Sequence, residues 1–319
     1  MKIVVLDGYL PNPGDISWEP IGRYGELTVY DDTSDDQVIE RMAGANAVFV
    51  NRINLTAERI ESCKTLQFIG VFGTGYNNVD AAAATRCGVR LYNIPAYGQY
   101  AVAQMAAALL LEICSRASAF DRYIKEDGWY QSSDPAIAKV HQIELSGKTL
   151  GVIGLGDIGG TMARIGLALG MKVVAYRRHP EPEAWGDALR FVSLDELLRV
   201  SDVISLHCPL NDQSRGMIGR EALERMKDGT ILINAARGAI VDEAAVIEAL
   251  DSGKLYAYGA DVFVDEPTGR QSKLALHPRC VATPHVGWAA RETRERIIRF
   301  SGENLGDFLR GVFTHCVNR

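Results

Sequence analysis

Residues 150–178 read LGVIGLGDIGGTMARIGLALGMKVVAYRR. The apolar run 150–153 leads into Gly154-Leu155-Gly156-Asp157-Ile158-Gly159, an amphipathic helical stretch follows, and a second β-type run occupies 171–176. Strand, glycine turn, helix and strand in that order are the setting a dinucleotide fingerprint requires. Gly154 permits the tight turn, Gly156 lets backbone approach a pyrophosphate, and Gly159 lets the helix pack close to the strand. The helix N-terminus, at Asp157 and Ile158, offers free N–H groups and a partial positive charge to the anion.

The end of the second strand selects the dinucleotide. NAD-binding versions place an acidic residue about 20 residues past the glycines, on the ribose 2′-OH. Arg177 and Arg178 stand there instead. A carboxylate would repel a 2′-phosphate, whereas a guanidinium pairs with it through two parallel hydrogen bonds. The expectation is NADP(H) as preferred cofactor and NAD(H) as the alternative.

A chain of 319 residues has room for two domains with proper cores. Its net charge of −6 gives no sequence-wide basic field for nucleic acid or anionic lipid. The opening MKIVVLDGYL is too short an apolar stretch for a signal peptide, is interrupted by Asp7, and reads as a first strand. No apolar run approaches the roughly 18 residues that span a bilayer. The cysteines show no CxxC pairs, and no His/Cys/Asp cluster has metal-ligand spacing. The expectation is a cytoplasmic protein with reduced thiols and no metal.

Ahead of the fingerprint, strands are expected at residues 3–6, 27–30, 47–50, 66–71 and 90–93, alternating with helical stretches such as 36–42 and 80–87. That alternation implies a parallel sheet covered on both faces, a small doubly wound domain. Residues 99–116, QYAVAQMAAALLLEICSR, are apolar nearly all round. Such a helix is buried, either between domains or against a second subunit; the oligomer interface is the favoured reading, giving a homodimer. Beyond the fingerprint, strands are expected at 202–207, 231–234, 257–262 and 281–283, with Asp242 capping a helix that closes at Ser252-Gly253. Residues 290–309 form a charged amphipathic helix with Ile297, Ile298, Leu305, Phe308 and Leu309 on one face. If this tail returns to the first domain, the layout is 1–98 plus 290–319 around an inserted 99–289, a two-crossing arrangement that permits closure over a cleft.

Four stretches then fall at strand ends: NAARG at 234–238, ADVF at 260–263, DEP at 265–267 and TPHVGW at 283–288. Ligands of open α/β sheets bind beyond the carboxyl ends of the strands, so these segments are expected in one crevice beside the cofactor.

GTGYNNVD at 73–80, VAQMAAALLLEI at 102–113, the glycine fingerprint, LHCPL at 206–210, NAARGAIVDE at 234–243, DVFVDEP at 261–267 and TPHVGW at 283–288 together resemble the D-isomer-specific 2-hydroxyacid dehydrogenase family. NPGDISWEP at 12–20 and IPAYGQYAVAQ at 94–104 resemble its glycerate dehydrogenase (hydroxypyruvate reductase) branch, although Tyr97 and Tyr100 depart from a serine/threonine-rich stretch there. The resemblance implies an α/β fold of two doubly wound parallel-sheet domains, a Rossmann cofactor domain inserted into a flavodoxin-like substrate domain. It also implies reduction of a small 2-keto acid such as hydroxypyruvate or glyoxylate.

The residue types suit that chemistry. Arg237 offers a planar fork for a carboxylate and polarises a carbonyl. His285 donates and recovers a proton near neutral pH, and Glu266 orients it and stabilises its protonated form. The resemblance places these three in those roles and puts Asp261 at the nicotinamide carboxamide. The amides of Thr74 and Gly75 become a second grip on the carboxylate. His207 and Pro209, Ala235 and Ala236, and Gly287 line the cofactor crevice. Formate and phosphoglycerate dehydrogenases are alternatives within the family. A dinucleotide-sensing binding protein like the C-terminal binding protein corepressors is one from another class.

Overall fold

A computed structural model describes residues 1–126, 129, 140–179, 185–268 and 271–318. The chain forms two compact units, Met1–Tyr97 with Trp288–Arg319, and Gly98–Gly287.

The first unit holds five strands: β1 (Lys2–Val5), β2 (Glu26–Val29), β3 (Ala47–Val50), β4 (Phe68–Val71) and β5 (Arg90–Tyr92). All pairings are parallel, in the order β2-β1-β3-β4-β5. That is the flavodoxin-like order. Side chains alternate across the sheet, so Ile3, Val5 and Phe49 enter one core and Val4, Val48 and Val50 the other. Burial on both faces explains why β3 and β4 read as unbroken apolar runs.

The helix Arg291–Leu309 covers one face through Ile297, Ile298 and Leu305. The expected apolar stripe stops short of its end. Phe308 packs on Phe68 at 5.4 Å, but Leu309 is 49% exposed. This return begins at Trp288, ahead of residue 290, because the Trp288 ring is buried in the same core. The last residues edge the sheet: the Val317 amide donates to Leu91 O at 2.9 Å, and the Leu91 amide donates to Asn318 Oδ1 at 2.8 Å.

The second unit holds β6 (Thr149–Ile153), β7 (Lys172–Tyr176), β8 (Arg190–Phe191), β9 (Val203–Leu206), β10 (Thr230–Asn234), β11 (Leu255–Ala260) and β12 (Cys280–Ala282). Their order is β12-β11-β10-β9-β6-β7-β8, with every pairing parallel. The chain runs outward from β6 through β7 to β8, then restarts on the other side at β9. The reversal between β6 and β9 is a topological switch point, where open α/β sheets bind ligands. The helix Glu243–Ser252 starts where Asp242 accepts from the amides of Ala244 and Ala245, and ends at Gly253 with φ +80°.

The helix Gln99–Ser115 buries one face within its own unit and leaves Tyr100 and Leu111 exposed. Its buried Ala106, Leu109, Leu110 and Ile113 share a core with Val152 and Ile233 of its own unit's sheet. Gly259 leaves the strand surface bare there, since a Cβ at that position would come within 3.1 Å of Leu109 Cβ. Apolar composition indicated burial, and the buried face rests on this unit's own sheet. Among the described residues no single helix is long and apolar enough to cross a membrane.

Candidate active site

Strand register brings the sequence-identified residues of the second unit into one row. Tyr176 pairs with Ile153, Ile153 with Leu206, Leu206 with Asn234, Asn234 with Ala260, and Ala260 with Ala282. The next residue of each strand is therefore Arg177, Gly154, His207, Ala235, Asp261 or Thr283, side by side at the carboxyl edge. Ladder bonds continue into this row: the amides of Gly154, His207, Asp261 and Thr283 donate to Tyr176, Ile153, Asn234 and Ala260 carbonyls at 2.8–3.0 Å.

The glycine turn meets the demands of a pyrophosphate cradle. Gly154 has φ +94°, and a Cβ there would lie 2.5 Å from Cys208 N. A Cβ on Gly159 would lie 2.1 Å from Gly154 O, whereas one on Gly156 would meet nothing within 4 Å. Gly156 thus faces open space, the place a phosphate would take. No side chain caps the helix Asp157–Ala168, which leaves its first amides to an anion. Arg177 is half-buried and Arg178 exposed just past β7. Across the switch point, His207 Nε2 is 2.8 Å from Ser205 Oγ, and its Nδ1 is buried with no hydrogen-bond partner among the described residues. Burial pushes the His207 imidazole down to about 4, so it is neutral at pH 7. Pro209 is exposed beyond it.

Arg237, Glu266 and His285 follow β10, β11 and β12 in turn; Glu266 meets His285, and the turn bearing Arg237 packs on the segment that leads to Glu266. Fully buried Asn234 shapes the first turn: its Nδ2 donates to Arg237 O at 3.0 Å and to Tyr258 OH at 3.2 Å, and its Oδ1 accepts from Ala236 N at 3.1 Å. Arg237 is half-buried and donates from Nη1 to Ala236 O at 2.7 Å. Gly238 presses this turn onto the next segment, for a Cβ there would lie 1.9 Å from Phe263 C. Two residues past Val264, Glu266 Oε1 accepts from Phe263 N at 2.8 Å and Oε2 meets His285 Nδ1 at 2.5 Å. A short charge-assisted contact of this kind fixes the ring. We expect Gly238→Ala to destabilise the protein by about 1–3 kcal/mol through backbone overlap. Thermal unfolding checks this, and an unchanged Tm would contradict the packing described.

Within its own unit, Asp261 organises the loop that follows β12. It is 3% exposed, its Oδ1 accepts from Thr283 Oγ1 at 2.6 Å and Val286 N at 2.9 Å, and its Oδ2 accepts from Gly287 N at 2.8 Å. Three of its acceptor sites thus go to the loop that carries His285. That residue has φ +55°, a left-handed conformation costly outside glycine, and Asp261 holds the backbone that stores it. A Cβ on Gly287 would come 2.9 Å from Asp261 Oδ2, so only glycine fits without a shift. The roles of Asn234 and Asp261 as loop organisers were missed in the sequence; an amide or carboxylate at a strand end is the only trace they leave.

In the first unit, the loop after β4 presents Thr74 and Gly75. Thr74 Oγ1 donates to Ile94 O, and Asn93 Nδ2 donates to Thr74 O, both at 2.7 Å. The amides of Thr74 and Gly75 donate to no described residue. Among the described residues no group of three or more His, Cys, Asp or Glu could hold a metal ion.

Residues 107–287 match the model of the D-isomer specific 2-hydroxyacid dehydrogenase NAD-binding domain. A hydroxypyruvate reductase of Blautia hydrogenotrophica is 42% identical, over 100% of both chains. A glyoxylate reductase of Aeropyrum pernix is 33% identical over 94% of this chain and 92% of its own. Among solved structures, a D-lactate dehydrogenase from Aquifex aeolicus complexed with NAD and lactic acid superposes with a TM-score of 0.86 at 28% identity, covering 100% of this chain and 99% of that one.

Proposed function

The chain belongs to the D-isomer specific 2-hydroxyacid dehydrogenase family, oxidoreductases acting on a CH–OH group, and we propose that it reduces hydroxypyruvate and glyoxylate to D-2-hydroxy acids with NADPH preferred over NADH. The observation that carries the reading is the 2.5 Å Glu266–His285 pair, whose segment packs on the turn bearing Arg237. The full-length likeness to proteins named hydroxypyruvate and glyoxylate reductase supports the substrate class.

The dinucleotide, when bound, supplies the hydride that a keto carbonyl carbon accepts. Gly154, Gly156, Gly159 and the amides at Asp157 and Ile158 hold its pyrophosphate. Arg177 and Arg178 take the 2′-phosphate, while His207, Pro209, Ala235, Ala236, Asp261 and Gly287 line its path along the sheet edge. Neutral His207 adds no charge there, and its Nδ1 is a polar group awaiting a partner.

Arg237 binds the substrate carboxylate with its two-pronged guanidinium and draws electron density from the carbonyl. The amides of Thr74 and Gly75, which donate to no described residue, would supply further carboxylate donors. His285 delivers the proton from Nε2 to the carbonyl oxygen, because Nδ1 is committed to Glu266. Glu266 is itself anchored by Phe263 N, so it keeps the ring from turning and stabilises the imidazolium before transfer.

We place the protein in the cytoplasm on the strength of its free cysteines, and as a homodimer. For the latter, the helix Ala117–Glu126 has no buried residue, and its Ile124 is 53% exposed. Sedimentation velocity tests the dimer, and a purely monomeric profile at micromolar concentration would contradict it.

Steady-state kinetics with hydroxypyruvate, glyoxylate, pyruvate and bulkier 2-keto acids, each with NADPH and NADH, test the activity. The two small substrates with NADPH are expected to give the highest kcat/KM. Arg177→Asp is expected to shift the NADPH-to-NADH ratio of kcat/KM by at least about ten-fold toward NADH, given the strength of guanidinium–phosphate pairing. A lower KM for NADH than NADPH in the wild type would overturn the cofactor assignment.

A further inference from the structure

Both chain connections between the units leave the first unit from carbonyls held by one turn of the helix Arg291–Leu309. Arg294 Nε donates to Ala289 O at 3.0 Å. Two residues on, Arg296 Nε donates to Tyr97 O at 2.9 Å, and its Nη2 donates to Thr293 Oγ1 at 3.0 Å. Tyr97 is the last residue before the chain enters the second unit, and Trp288 is the first after it leaves.

The Arg294 clamp is built with some care. The side chain is 11% exposed, and its Nη1 and Nη2 pair with both oxygens of Asp15 at 2.7 and 2.8 Å. All three faces of the guanidinium are thus engaged: one on a backbone carbonyl, two on a carboxylate. The hydrogen bond from Arg294 holds the Asp15 carboxyl below the usual carboxylate range, so the pair stays ionised at neutral pH. Asp15 is itself held in a loop organised by buried Asn12, which donates from Nδ2 to Ile16 O at 2.6 Å and accepts at Oδ1 from the amides of Gly14 and Ile16 at 3.1 Å.

The catalytic loop ends at this clamp. On its second-unit side, Asp261 holds the amides of Val286 and Gly287. On its first-unit side, the Trp288 ring is buried and Ala289 O is held by Arg294. No residue lies between the two anchored stretches, and His285 is only four residues ahead of Ala289, in a backbone conformation that must be held against its preference. Slack at Ala289 therefore reaches the imidazole with little chain to absorb it.

We propose that Arg294 is a positioning residue for His285: paired with Asp15 and seconded by Arg296 at the other connection, it fixes the exit of the catalytic loop, so that loss of the clamp impairs proton delivery rather than binding. The inference rests on His285 being the proton donor. A misplacement of about 1 Å far from the chemistry costs as much as 10²-fold in rate, and a clamp one short loop away is expected to cost about ten-fold.

The test compares Arg294→Ala and Asp15→Asn with wild type in hydroxypyruvate reduction. Asp15→Asn leaves the guanidinium in place and removes only its charged anchor, so it guards against a variant that fails to fold. Both are expected to lower kcat, about ten-fold for Arg294→Ala and less for Asp15→Asn, with KM for keto acid and dinucleotide changed by less than about two-fold. Millimolar guanidinium is expected to restore part of the Arg294→Ala turnover. A lowered Tm with wild-type kcat in the folded protein would overturn the proposal, as would a kcat loss with no guanidinium rescue or a loss that falls on KM instead of kcat. If His285→Ala retains wild-type turnover, the proton-donor reading fails instead, whatever the Arg294 variants do.

Discussion

His285→Ala is expected to lower kcat for keto-acid reduction by about 10²–10⁴-fold, the range general acid catalysis supplies. The residue's Nδ1 is committed to Glu266 at 2.5 Å, and the proposed proton delivery runs through Nε2. Removing it takes away the proton donor while the glycine turn, some distance along the same sheet edge, keeps its geometry. Dinucleotide affinity, read by fluorescence titration, is therefore expected to stay within about two-fold of wild type, and the loss to fall on kcat. A Glu266→Gln variant preserves shape but removes the negative charge that stabilises the imidazolium, and its loss is expected to be smaller than that of His285→Ala. Wild-type turnover in His285→Ala would remove this residue from the chemistry.

The second large effect belongs to Arg237. Truncation to Ala removes both the carboxylate clamp and the charge that polarises the carbonyl, so KM and kcat are both expected to suffer. Losing one partner of a desolvated charge pair costs about 2–5 kcal/mol, which corresponds to at least about 30-fold in kcat/KM. Arg237→Lys keeps a point charge but not the planar fork, and is expected to recover only part of the loss. The Asn234 hydrogen bonds that shape the turn involve backbone atoms of residues 236 and 237, so they survive both changes and the fold is expected to be kept. If Arg237→Ala leaves kcat/KM unchanged, the carboxylate of the substrate is bound elsewhere.

How much of this was legible in the sequence depended on what each residue has to satisfy. The glycine turn was readable because its constraints belong to the backbone: Gly154 needs φ +94°, and Gly159 has no room for a Cβ against Gly154 O. Strand alternation was equally readable, since a parallel sheet buried on both faces needs continuous apolar runs such as Ala47–Val50 and Thr230–Asn234. Arg237, Glu266 and His285 stood out by residue type at strand ends, and the family resemblance supplied their order.

Partner identity was not readable. The apolar composition of Gln99–Ser115 did not reveal that Leu109 and Leu110 rest on their own unit's sheet near Gly259. The three acceptor sites that Asp261 gives to residues 283–287 were equally hidden. Bonds from a side chain to distant backbone leave no periodicity and no compositional mark. The same holds for Arg294, one arginine among many in a charged helix, whose hold on Ala289 O and Asp15 emerges only from coordinates.

The central claim is a direct hydride transfer to the C2 carbonyl of a small 2-keto acid on one stereochemical face. NADPH carrying deuterium at both C4 positions, incubated with hydroxypyruvate and the enzyme, tests it in one experiment read by chiral chromatography and mass spectrometry. The account predicts D-glycerate carrying deuterium at C2. Unlabelled glycerate, the L enantiomer, or no glycerate at all would contradict it.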